Sequence, residues 1–226
     1  MFPRYKGLVI SMIVANIVSL VFLAVKVFAT KNWDYAFLVW NLVLAWLPFL
    51  IVYVLSQRLK HHRWLSWQNL GLSFLWLIFL PNSFYVASDL IHLRLSSQQN
   101  VLFDVVMILS FTINGMIAGM ASLYLMHREL YKRYWAVQAH SVMGIIILAA
   151  SFAVYLGRNL RWNTWDVVVH PAALLFDVSD RFINPTDHPQ AFATTLTFFV
   201  LIGSFYFIVW QFAAALHYTV DNEDRD

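Results

Sequence analysis

Six stretches of this chain run for about twenty residues or more with almost no charge, and they leave few folds open. They lie near 7–29, 35–55, 64–88, 101–126, 136–157 and 192–216. A helix of about 20 apolar residues crosses the hydrocarbon core of a bilayer, whereas a β-barrel strand needs about half that length and alternates polar with apolar positions. These runs are long and do not alternate, so they predict an all-α, multi-pass transmembrane helix bundle of about six spans. Composition agrees: 61% of 226 residues are hydrophobic and only 12% charged, too apolar for a water-soluble interior of this size. One transmembrane domain over 1–216 is expected, with a disordered acidic tail over 217–226.

The first run follows Arg4 and Lys6, as a signal peptide would, but 7–25 is longer than the usual apolar core and Val27-Phe28-Ala29 is a poor cleavage match. A retained anchor is the expectation, with Lys26 snorkelling outward. Trp33, Trp64, Trp67, Trp135, Trp162 and Trp165, six of ten tryptophans, fall where a span meets a loop, as an interfacial aromatic belt requires.

Lysine and arginine in short loops orient such a chain. Arg4, Lys6, Arg58, Lys60, Arg63, Arg128, Lys132, Arg133 and Arg225 fall on one side, nine of fifteen. Lys26, Lys31, Arg94, Arg158, Arg161 and Arg181 fall on the other. The bias predicts a cytoplasmic-membrane protein with both termini in the cytoplasm. The basic loops, with His61, His62 and His127 beside them, would meet lipid head groups, and setting topology is role enough for them. A net charge of +3, spread along the chain, gives no footprint for nucleic acid. Absence of cysteine removes disulfides, thiolate metal sites and a cysteine nucleophile together.

The connection 158–191 is too long for a plain turn. Pro171 suits the first position of a short helix. Leu174, Leu175, Val178 and Phe182 would share one face of it, opposite Asp177, Asp180 and Arg181, as in a helix lying in the membrane interface.

Polar residues are costly in lipid, so their positions carry information. Asn82, Tyr85, Asp89 and His92 follow at spacings of three, four and three, one face of an α-helix if the helix continues past Pro81. Asp104 enters the fourth span near the same boundary. Asn114, deeper, is expected to hydrogen-bond between helices, with Gly115 and Gly119 allowing close approach. The fifth span exits through Tyr155, Arg158 and Arg161, and Asn163 with Asp166 three residues on resembles a helix-capping pair. Asp166 and His170 stand one helical turn apart.

Four segments, WNLVLAWLPF (40–49), LPNSFYVASDLIHL (80–93), FDVVMILSFTINGMIAG (103–119) and YLGRNLRWNTWD (155–166), together resemble a family of uncharacterised bacterial integral-membrane proteins, the domain-of-unknown-function 1361 family. The resemblance covers about 35–215 and implies a multi-pass membrane protein, with no activity and no functional residue to carry over.

Three readings of the outer polar set compete. In the first, carboxylates and arginines neutralise one another and hold helix ends together, in a non-catalytic scaffold or partner subunit. In the second, an outward-facing pocket acts on a phosphorylated or acidic lipid or a lipid-linked substrate. Asp89, His92, Asp104 and Asp166 then supply acid, base or ligands to a divalent metal. Asn82, Tyr85, Arg158, Arg161, Asn163 and His170 grip the substrate, the guanidinium fork suiting phosphate or carboxylate. In the third, a small transporter, polar groups should line a path through the membrane, yet mid-span only Asn16, Asn41 and Asn114 stand out. No motif designates a cofactor. Membrane lipids are the expected partners, together with a lipid-linked substrate or a membrane protein. Ser83 and Ser88 lack the glycine-flanked elbow of a serine hydrolase.

Overall fold

The computed structural model describes residues 2–95 and 101–223, with side chains for 5–91 and 101–216. It is entirely helical in its regular structure: α1 (Phe2–Thr30), α2 (Phe37–Arg58), α3 (Trp67–Tyr85), a 3₁₀ helix (Val86–Leu95), α4 (Val101–Tyr131), α5 (Ala136–Asn159), α6 (Asp166–Val169), α7 (Pro171–Ile183) and α8 (Pro189–Glu223). Six of these are long and apolar enough to cross a membrane, over Tyr5–Thr30, Phe37–Arg58, Trp67–Ile91, Val101–Tyr131, Ala136–Asn159 and Pro189–Leu216. The chain is an all-α multi-pass membrane protein. Its outward side chains fit that solvent: Val14, Ile17, Val21, Val43, Leu50, Ile145 and Phe207 are all exposed. Trp33, Trp67 and Trp135 are exposed as well, at the ends of helices where a belt would lie.

The chain divides into two compact units, Met1–Ala121 and Ser122–Asp226, and the division falls inside α4. α8 continues as helix to Glu223, and the side chains of the acidic tail lie outside the described residues.

In the first unit, α1 stops at Lys31, whose φ of 53° is left-handed, and an Asx turn follows, the Asp34 N–H donating to Asn32 Oδ1 at 2.9 Å. The core combines Leu23 from α1, Leu38, Leu42 and Ala45 from α2, Val86 from the 3₁₀ helix, and Met107, Ile108 and Phe111 from α4. Polar groups inside it bond to backbone. Ser83 Oγ donates to the Ala45 carbonyl at 2.7 Å, and Thr112 Oγ1 to the Val86 carbonyl at 3.2 Å. Asn114 finds the interhelical partner that its depth demands, donating to Ser19 Oγ at 2.8 Å. Gly119 lets α3 come close: a Cβ there would sit 2.8 Å from the Phe84 ring and from Ser83 Cβ.

In the second unit α5 packs along α8. α5 ends at Leu160, and Arg161 takes a φ of 61°, the cap conformation usually left to glycine, so that the Trp162 N–H returns to the Leu156 carbonyl at 3.2 Å. Pro171 opens α7 as expected. The facing of α7 differs from the expectation. Leu174 and Val178 pack on Tyr155, Leu156 and Ala191, but Leu175 and Phe182 are exposed. Arg181, placed by periodicity on the water side, is only 8% exposed, because Asp177 draws its Nη1 at 3.1 Å and Tyr155 hydrogen-bonds to it.

Candidate functional site

The residues nominated by sequence separate by local environment. Asp104 lies in the first turn of α4, where the helix dipole favours an anion, and is fully buried. Lys26 Nζ reaches its two oxygens at 2.6 and 2.8 Å and lies 5.8 Å from the centre of the Tyr35 ring. Lys26 therefore does not snorkel. It is 9% exposed and serves as counter-ion to Asp104, since an unpaired carboxylate in that core would cost more than turning the lysine inward. Asp89 is 1% exposed and accepts from Asn41 Nδ2 at 2.7 Å.

The single α-helical face drawn through Asn82, Tyr85, Asp89 and His92 does not form. The chain changes to 3₁₀ geometry after Tyr85, three residues per turn, so Asp89 is no longer in α-register with Asn82 and Tyr85. Asn82 Nδ2 instead donates to the Phe79 carbonyl at 3.0 Å, and Tyr85 is half-buried. The side chain of His92 lies outside the described residues.

In the second unit Asp166 gathers its neighbours. One oxygen accepts the Asn163 backbone N–H at 2.7 Å and the other meets His170 Nδ1 at 3.1 Å. The Asn163 amide first, and then the His170 ring, hold the Asp166 carboxyl below the usual carboxylate range, so it is ionised at neutral pH. The Asn163–Asp166 bond is a turn contact leading into α6, whose N-cap is Trp165 and whose first residue is Asp166, so Asn163 and Asp166 do not form the expected capping pair. Nearby, Trp162 Nε1 donates to Asp177 Oδ2 at 2.8 Å, and His188 Nε2 meets Asp180 Oδ2 at 2.7 Å. Arg158 is half-buried in the last turn of α5, while Arg161 and His170 are exposed. Among the described residues no group of three His, Asp or Glu side chains is placed to hold a metal ion.

Periodicity did not point to a pocket in the second unit. A pocket of about 410 Å³ in the second unit is lined by His127 of α4, His140 and Gly144 of α5, and Gly203, Tyr206 and Trp210 of α8. Such a volume suits a small organic ligand. Aromatic contacts hold its polar end rigid. The His127 ring stacks on Trp210 with centroids 3.9 Å apart, and His140 meets His127 edge-on at 4.8 Å. His127 Nδ1 is 2.7 Å from the Tyr206 hydroxyl. His127 is 1% exposed, and its Nε2 is buried with no hydrogen-bond partner. Buried polar atoms are nearly always paired, so this nitrogen is an exception. At Gly144 and Gly203 an added Cβ would meet nothing within 4 Å. The glycines widen the cavity rather than bring helices together.

A signal for this pair was present in the sequence. α4 ends at Tyr131 and α5 begins at Ala136, so His127 and His140 each lie four residues from a short turn and antiparallel helices set them side by side.

A family model described as "Protein of unknown function (DUF1361)" matches residues 40–205. The chain belongs to this family. DUF1361 thus takes in α3, α5, α7, His127, His140, Gly144 and Gly203, and stops just before Tyr206 and Trp210. No curated protein and no solved structure matches the chain. The family description assigns no chemistry, so function has to be argued from the sites themselves.

Proposed function

We propose that this DUF1361 protein is a binding protein of the cytoplasmic membrane that takes up a membrane-soluble ligand in the His127–His140 pocket. The observation that carries this reading is a largely apolar cavity of about 410 Å³ with His127, His140 and Gln211 in its lining. The partners found for Asp104, Asp89 and Asp166 favour a structural role for the outer polar set: each carboxylate already holds a lysine, an amide or a helix end.

The test uses the open space at Gly203. Gly203→Leu should take up space in the cavity, and nothing lies within 4 Å of its Cβ. Purified protein in detergent, titrated with anthracene-labelled octadecanol, should bind saturably. The substituted protein should bind at least about tenfold more weakly with an undiminished melting temperature, one tenfold step being about 1.4 kcal/mol. Equal binding by both proteins would remove the pocket from consideration.

A second reading has one observation in its favour. Arg161 keeps its side chain exposed at the cost of a left-handed backbone, in the same connection as exposed His170 and the exposed apolar side chains Val168 and Val169. That combination suits the phosphate or carboxylate of an acidic lipid or lipid-linked substrate at the membrane boundary, with Arg158 one turn back.

Both readings take the termini as cytoplasmic, from the nine-to-six division of basic residues. The chain contains no cysteine, so single introduced cysteines report cleanly. In intact cells, cysteine at exposed Thr186 should react with an impermeant thiol reagent and cysteine at exposed His62 should not. The reverse pattern would invert the orientation.

A further inference from the structure

We infer that α6 and α7 form a half-inserted segment whose outward face beds in the membrane lipid beside the end of α5, so that the partner of this surface is the bilayer itself. None of its residues lines the His127–His140 pocket.

α7 is apolar on two sides. Leu174 and Val178 pack on Tyr155, Leu156 and Ala191, which is the ordinary way for an amphipathic helix to meet its core. Its charges do not then turn to water. Asp177 accepts from Trp162 Nε1 at 2.8 Å and from Arg181 Nη1 at 3.1 Å, and Asp180 accepts from Asn184 Nδ2 at 2.8 Å and meets His188 Nε2 at 2.7 Å. Arg181 is buried. The exposed face belongs to Leu175, Phe176, Phe182 and Ile183, which are 65%, 72%, 63% and 73% exposed. At 3.6 residues per turn these four share about a third of the helix circumference, and the other residues in that arc, Ala172 and Ser179, are uncharged. Val168 and Val169 of α6 are exposed as well. Bare apolar side chains outside and satisfied charges inside are the reverse of what water selects.

Two observations make lipid the cover. The face is continuous with a surface that already meets hydrocarbon: Phe182 lies edge-on to Phe192, near the start of α8, with ring centroids 6.5 Å apart, and the exposed Leu196 and Val200 follow along the same span. The place in the chain agrees. α6 and α7 connect two consecutive spans, Ala136–Asn159 and Pro189–Leu216, so both of their ends are held at one membrane boundary. The 13 residues of α7 make about 20 Å of helix, too short for a hydrocarbon core of about 30 Å. The segment therefore enters and leaves on one side, with its apolar face sunk about 5–10 Å to the level where head groups give way to acyl chains.

The experiment is fluorescence quenching on the full chain in phosphatidylcholine vesicles. The chain contains no cysteine, so Leu175→Cys, Phe176→Cys and Ile183→Cys can each carry a single NBD fluorophore. Iodide quenches from the water, and phosphatidylcholine brominated near the head-group end of its acyl chains quenches from the lipid. Exposed Thr186→Cys, in the same connection and so on the same side of the membrane, sets the water level, and Leu196→Cys on α8 sets the lipid level. At the three α7 positions iodide should quench at least about fivefold less than at Thr186, and the brominated lipid should quench to within about twofold of Leu196. Iodide quenching at the Thr186 level would overturn the inference. Protection from both quenchers would overturn it as well, and would give the face to a second copy or another protein. All three substitutions sit on one exposed face, so if one variant fails to fold the other two decide the matter.

Discussion

Asp104→Ala is expected to destabilise the first unit by about 3–5 kcal/mol, the usual result of stranding one member of a buried ion pair. The carboxylate is fully buried and Lys26 nearly so, among Leu23, Tyr35, Met107 and Ile108. Removing the acid leaves a buried ammonium without this counter-ion, 5.8 Å from the centre of the Tyr35 ring. Lys26→Met should also destabilise, because it removes the counter-ion of the buried carboxylate. The double replacement, Lys26→Met with Asp104→Leu, should return most of the loss, since buried pairs are often replaceable by apolar residues of similar volume. Thermal melts in detergent, arranged as a double-mutant cycle, measure all three. A single-substitution cost below about 1 kcal/mol, the range of exposed pairs, would show that the pair is hydrated and the core picture wrong. Retention of octadecanol binding by the double variant would separate Asp104 from ligand chemistry altogether.

Glycine substitutions should divide by sign. Gly119→Ala is expected to destabilise by about 1–3 kcal/mol, because the new methyl would lie 2.8 Å from two atoms of the buried Phe84 ring and from Ser83 Cβ. Phe84 has nowhere to turn, as it is 1% exposed. Gly115→Ala should be milder, with Val86 Cγ2 at 3.1 Å and the Ser83 carbonyl oxygen at 3.2 Å. Gly144→Ala and Gly203→Ala have free space and replace a poor helix former by the best one, so each should stabilise by up to about 1 kcal/mol. Melting temperatures of the four variants give the answer directly. Stabilisation at Gly119, or a loss at Gly203, would contradict the packing described for those helices.

The spans were legible because bilayer thickness imposes a length and an apolar content that a single sequence displays openly. Asn114 was legible for a related reason: so deep a polar group has to find another helix, and Ser19 provides it. The fate of Lys26 was not. Outward snorkelling and inward pairing cost similar effort for a flexible lysine, and the choice depends on Asp104, 78 residues away. The 3₁₀ geometry after Tyr85 escaped notice because residues three apart suit both helix types. α7 was foreseen from Pro171 and its amphipathic pattern, but its facing was not, because Asp177 and Tyr155 turn Arg181 inward against its hydropathy. His127 and His140 needed a pairing argument across the α4–α5 turn, which hydropathy along one helix does not supply.

The family match and the minimal working unit are different objects. Residues 40–205 contain Asp104 and Asn114, but Lys26 and Ser19, which satisfy them, come from the preceding helix. The same stretch contains His127 and His140, while Tyr206 and Trp210, which orient the first of these, follow its end. Excised at its boundaries, the matched portion would carry Asp104 without its lysine at one site and a histidine released from its stack at the other. α1 and the C-terminal half of α8 are tied to the matched portion by chemistry, each supplying groups that pair with or hold residues inside it.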